Sequence, residues 1–131
     1  MGQQNHHDNP EIWFRPSPMF PSTVLSKLIL NREITATPRM GIRDSSHPKG
    51  YNNGQIVTLR MFDDDWKETM NLRVCVKAVR SKRLQDLIEV DLVNTVGYRT
   101  GWKSVQQDLS FFEGRVVEMC EMVSLVEFDY I

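Results

Sequence analysis

Two neighbouring stretches near the middle of the chain alternate apolar and polar residues with a period of two. In residues 55–62 (QIVTLRMF), Val57, Leu59 and Met61 fall on one side and Ile56, Thr58, Arg60 and Phe62 on the other. In residues 71–80 (NLRVCVKAVR), Leu72, Val74, Val76 and Ala78 share a face opposite Arg73, Cys75, Lys77 and Val79. A period of two is the mark of strands with one face buried. Asp63-Asp64-Asp65 lies between them and predicts a hairpin turn. Residues 122–131 (MVSLVEFDYI) alternate as well, with Val126, Phe128 and Tyr130 opposite Glu127 and Asp129. Residues 11–15 (EIWFR) form a short first strand broken by Pro16, and Val116-Val117 offers the start of a further one.

Elsewhere the period lengthens to that of a helix. Val24, Leu25, Leu28 and Ile29 line one helical face behind Ser22, an expected N-cap, with Lys27 in the last turn. Residues 84–93 predict a short helix through Leu84, Leu87, Ile88 and Leu92. Trp102, Val105, Gln106, Leu109 and Phe112 predict a clearer one, bracketed by Gly101 and Gly114. The expected fold is α+β: a small, partly open β-barrel of about five mostly antiparallel strands with two or three short helices. Residues 1–10 read as a mobile polar tail and residues 11–131 as a single domain of ordinary size.

Residues 30–49 (LNREITATPRMGIRDSSHPK) fit neither period. They hold few apolar residues and many hydrogen-bonding ones, so they are expected to be a working loop. Charge sharpens that expectation. The chain carries a net charge of -1, which argues against generic polyanion binding by the whole molecule. Yet from residue 27 to residue 60 six basic residues face only Glu33 and Asp44, a local excess of +4. Arg39, Arg43, Lys49 and Arg60 suit phosphate contacts, and Thr35 and Thr37 add neutral donors. Tyr51, Tyr98, Trp66 and Trp102 are candidates to stack on an unpaired base. His47, beside Asp44 and Ser46, is a candidate binding residue and the only histidine outside the tail.

Other chemistry is sparse. No P-loop, GxSxG or HExxH motif occurs, and no cofactor is implied. His6 and His7 lack further clustered ligands, the three-aspartate turn lacks the glycine and terminal glutamate of a calcium loop, and no CxxC pair occurs, so no metal is expected. Cys75 and Cys120 sit in apolar runs and read as buried reduced thiols. No apolar run reaches membrane-spanning length, so no membrane contact and a cytoplasmic location are expected.

The order of elements and several short motifs resemble ASCH domains of the PUA-like superfamily. The matching residues are Ile29-Leu30, Thr35-Ala-Thr37-Pro-Arg39, Ser46-His47-Pro-Lys49, Asn53-Gly54-Gln-Ile-Val and Phe62-Asp-Asp-Asp65. They continue through Val74-Cys-Val76, Gly97-Tyr98 and Leu125-Val-Glu-Phe128. The resemblance covers the chain from Ile12 onward and looks closest to the branch containing small acetylcytidine amidohydrolases. It implies a small β-barrel and a pocket for RNA or a nucleoside. That branch carries K-x-x-T-x-R in its loop; here Thr37 and Arg39 keep the pattern, but Ile34 stands at the lysine. The branch also uses a glutamate before its last helix, and no acid lies between Asp91 and Asp108. Isoleucine supplies neither proton transfer nor charge.

The expected function is therefore an RNA- or nucleotide-binding module with no catalytic residue, using Thr35, Thr37, Arg39, Arg43, His47, Lys49, Arg60 and Tyr98. One alternative is a hydrolase of RNA or of a modified nucleoside, ribonuclease-like or acetylcytidine amidohydrolase-like, with relocated catalytic residues. Another is a protein-interaction module that uses the acidic C-terminal strand or the DDDW hairpin.

Overall fold

The computed structural model describes residues 10–44, 46–98 and 100–131. The tail expected over residues 1–10 and its two histidines lie almost wholly outside them. Five strands, β1 (Glu11–Phe14), β2 (Ala36–Met40), β3 (Ile56–Phe62), β4 (Glu68–Arg83) and β5 (Met122–Tyr130), form one sheet in the order β1-β3-β4-β5-β2. The sheet curls into a half-barrel. Among the described residues three α-helices accompany it: α1 (Ser22–Leu30), α2 (Glu89–Leu92) and α3 (Trp102–Glu113). All pairings are antiparallel except β1 with β3, which run parallel.

The alternating stretches become strands as expected, and their apolar faces meet inside. Val57, Leu59, Met61, Val74, Val76, Val126 and Phe128 join Ile12, Phe14, Leu25, Ile29 and Ile34 in one core under α1. A second core under α3 gathers Leu84, Leu87, Leu92, Val105, Leu109, Val117, Val123 and Leu125. Gly114 ends α3 in the left-handed region at φ +70°, the usual glycine position after a helix.

Several expectations need correction. Residues 30–49 are not loop throughout, because β2 forms within them and pairs with β5. Ile34, Ala36, Thr37 and Pro38 are buried. Pro38 is tolerated because β2 lies at the sheet edge, where no neighbouring strand needs its missing N–H. β4 runs longer than predicted, and a register shift between Val76 and Ala78 turns Val79 rather than Ala78 toward the core. A second shift between Met61 and Phe62 buries Phe62, which the alternation places on the side of Ile56, Thr58 and Arg60. Residues 84–93 split into a 3₁₀ turn, Leu84–Asp86, and the single-turn α2, leaving Ile88 exposed. Pro21, not Ser22, takes the N-cap position of α1, and Val24 is exposed. Val117 is buried without entering a strand. Cys120 is exposed in a turn and Cys75 half-buried, so neither is the buried thiol expected.

Candidate functional site

The curl of the sheet leaves its two edge strands, β1 and β2, facing each other across a seam. Side chains rather than a β-ladder close it. One terminal nitrogen of Arg39 donates to the Trp13 carbonyl at 2.6 Å, and the other donates to Thr37 Oγ1 at 2.6 Å and to the Pro38 carbonyl at 2.9 Å. Tyr51 OH donates to the Glu11 carbonyl at 2.8 Å. A planar guanidinium with several fixed donors can span such a gap; a point-charge ammonium cannot. Burial lowers the basicity of Arg39, against the opposing influence of Tyr51, Tyr98 and Asp108.

A cavity of about 370 Å³ opens at this seam, where the two cores meet. Thr37 and Arg39 from β2 line it together with Tyr98, and with Asp108 and Phe112 from α3. Trp13, Phe14 and Arg15, Arg43 and Lys49, and Trp66 from the β3–β4 turn complete the wall and rim. Tyr98 OH donates to Asp108 Oδ2 at 2.9 Å. Asp108 is 7% exposed, and its Oδ1 has no hydrogen-bond partner among the described residues. Burial pushes the Asp108 carboxyl above its ordinary value, against the opposing pull of the Ser17 and Tyr98 hydroxyls and of the Arg39 charge. Burial and the neighbouring Asp108 together raise the Tyr98 phenol well above its usual value, so it stays a donor.

The described residues of the rim segment 41–51 close on themselves. The ends meet through Tyr51 N–H donating to the Arg43 carbonyl at 2.9 Å. Gly50 permits this closure, since a Cβ there would stand 1.6 Å from the Asp44 carbonyl oxygen. Arg43 Nε donates to the Met40 carbonyl at 2.6 Å, and its backbone N–H donates to Ser124 Oγ at 2.8 Å.

Of the residues named from sequence, the cavity brings together Thr37, Arg39, Arg43, Lys49 and Tyr98. Three lie elsewhere. Thr35 is half-buried, with its N–H on the Asn94 carbonyl. His47 packs against Gly41 and accepts the Lys49 N–H on Nδ1 at 2.9 Å. Arg60 is paired with Glu11 and Glu68 on the outer side of β3. Among the stacking candidates Tyr98 and Trp66 reach the cavity, whereas Tyr51 is a core residue and Trp102 packs on the second core. Ile34, at the lysine position, is fully buried in the first core. The acidic C-terminal strand is central in the sheet, and its Glu127 and Asp129 pair with Arg80 and Lys77.

Sequence reasoning missed Asp108, Trp13 and Arg15. A signal existed for Asp108, which sits between Val105, Leu109 and Phe112 on the apolar face of α3. An acid on that face must be buried and hence chemically unusual. No group of three or more metal-ligating side chains occurs among the described residues. No helix among them is long and apolar enough to cross a membrane.

Comparison with solved structures places this architecture. An ASCH domain from Lactobacillus crispatus superposes with a TM-score of 0.66 at 12% identity, covering 98% of this chain and 84% of that one. A DUF984 protein from Enterococcus faecalis superposes with a TM-score of 0.59 at 14% identity, covering 99% and 90%. The chain thus has an ASCH-like fold. No family model matches the sequence, and no curated protein matches it.

Proposed function

We propose that the chain is an RNA- or nucleotide-binding module of PUA-like type, without the amide-hydrolysis chemistry of the amidohydrolase branch. The observation that carries the reading is one cavity joining a half-buried Arg39 held on the buried Thr37, an aromatic wall and a cationic rim. Its volume suits one nucleobase. A flat ring stacks on the Trp or Phe faces that line the cavity. Arg15, Arg43 and Lys49 on the rim suit a phosphate. Ile34 in the core supports the absence of the branch's amine-dependent step. The half-buried and exposed thiols fit a reducing, cytoplasmic setting.

The test is titration of a short single-stranded RNA and of nucleoside monophosphates against wild type and Arg39→Lys. Lysine keeps the charge but cannot hold Thr37, Pro38 and Trp13 together, so affinity should fall about tenfold for a lost bidentate site. Failure of both probes to bind wild type at low salt sinks the proposal.

A second reading rests on Asp108, a buried carboxyl whose raised proton affinity suits a general acid or base. It makes the chain a hydrolase of RNA or a modified nucleoside with relocated chemistry. Turnover of RNA or acetylcytidine that disappears in Asp108→Asn would establish it. Both substrates left intact, divalent metals included, would exclude it.

A further inference from the structure

The cavity mouth carries two large indoles that the fold does not cover. Trp13 is 44% exposed and Trp66 51% exposed. They form one aromatic cluster through Phe62, with ring centroids 4.9 Å apart for Trp13–Phe62, 5.7 Å for Phe62–Trp66 and 6.2 Å for Trp13–Trp66. Trp66 also holds φ +62° in the β3–β4 turn, a left-handed conformation that glycine adopts freely and a bulky residue adopts under strain. Strain that projects a half-exposed indole gains little from packing, and such outliers gather at functional sites. The Arg15 guanidinium lies 3.5 Å over the Trp66 ring. Arg60 stands 5.3 Å from the Trp13 ring, its charge shared with Glu11 and Glu68.

We propose that Trp66, with Trp13, stacks the base of the nucleotide next to the one held in the cavity, so that the ligand is a single strand of at least two nucleotides. This rests on the reading that the cavity takes a base. An indole accepts any base on its π-face, and Arg15 stacked on it places a cation beside the linking phosphate. Asp64 and Asp65, exposed on the same turn, repel a phosphate from its tip. They direct the strand to the Arg15 side of the turn rather than outward along the hairpin.

The experiment compares a labelled five-nucleotide RNA of mixed sequence with an equimolar mixture of nucleoside 5′-monophosphates. The proteins are wild type, Trp66→Gly and Trp66→Phe, each checked by thermal unfolding. Wild type should prefer the pentamer by at least about tenfold, the scale of one stacked base. Trp66→Gly, which relaxes the turn, should hold or raise the unfolding temperature and bring that preference close to one. Trp66→Phe should restore most of it. An unchanged preference in Trp66→Gly overturns the second subsite while the cavity reading stands, and so does a wild type that binds both probes equally. Binding of neither probe overturns both. Loss of a stoichiometric protein partner in Trp66→Gly, with pentamer preference intact, assigns the turn to protein docking instead.

Discussion

Burial of the Asp108 carboxylate beside Val105 and Leu109 strips it of water without supplying both oxygens with partners. Because burial holds its carboxyl above the ordinary value, the folded chain binds that proton more tightly than the unfolded chain. The stability it contributes is full below the unfolded value and is lost as pH rises through the folded one. Asp108→Asn should therefore stabilise the unliganded protein near neutral pH, because it removes a charge that burial disfavours. The gap should close as pH falls toward the ordinary carboxylate range. Unfolding scans of both proteins across that range test this; a wild type that is the more stable at neutral pH would refute it. Tyr98 keeps an acceptor in the variant, so that hydrogen bond is not lost with the charge.

At the scale of elements, residues 41–51 owe their shape to backbone bonds and one close approach. Gly50→Ala would drive a Cβ into the Asp44 carbonyl and force the loop open. We expect a loss of about 2 kcal/mol, in the range of overpacking strain, together with faster proteolysis within the loop. Melting and limited proteolysis measure both, and an unchanged melting temperature would show that the loop shifts freely. This loop and β2 also mark where the sequence stops being readable. Strands β3, β4 and β5 and helix α3 announce themselves through periodic apolar faces long enough to count. β2 is five residues with a proline at its centre, and its partner β5 lies at the far end of the chain. No local period encodes such a pairing. The shift between Val76 and Ala78 is hidden for the same reason, since a bulge changes face without changing composition. The site is half-readable on the same grounds. Thr37, Arg39 and Tyr98 stand out as a motif, whereas Arg15 and Trp66 become neighbours only when the sheet curls.

For the whole molecule, a net charge of -1 coexists with a cavity rim carrying Arg15, Arg43 and Lys49. Long-range attraction to a polyanion is weak, so any nucleic-acid affinity should come from those few contacts. Three phosphate-facing cations give a log–log salt slope of about -2 for a single strand. Titration at several salt concentrations reads the slope directly. A much steeper slope would mean a binding surface other than this rim, and a flat one would mean that no phosphate is held.

The seam between β1 and β2 makes the first strand a reporter. β1 is four residues long, and across the seam the Glu11 and Trp13 carbonyls accept the Tyr51 hydroxyl and the Arg39 guanidinium. Arg39, which lines the cavity, is thus also the clasp that fastens this strand. Occupancy of the cavity and attachment of β1 become one equilibrium, in which whatever fixes Arg39 also fixes the strand. Backbone amides of Ile12 to Phe14 should exchange with solvent deuterium more slowly in the complex, although no ligand atom need touch them. Uniform protection across the sheet, with no excess in β1, would show that the clasp and the cavity act separately.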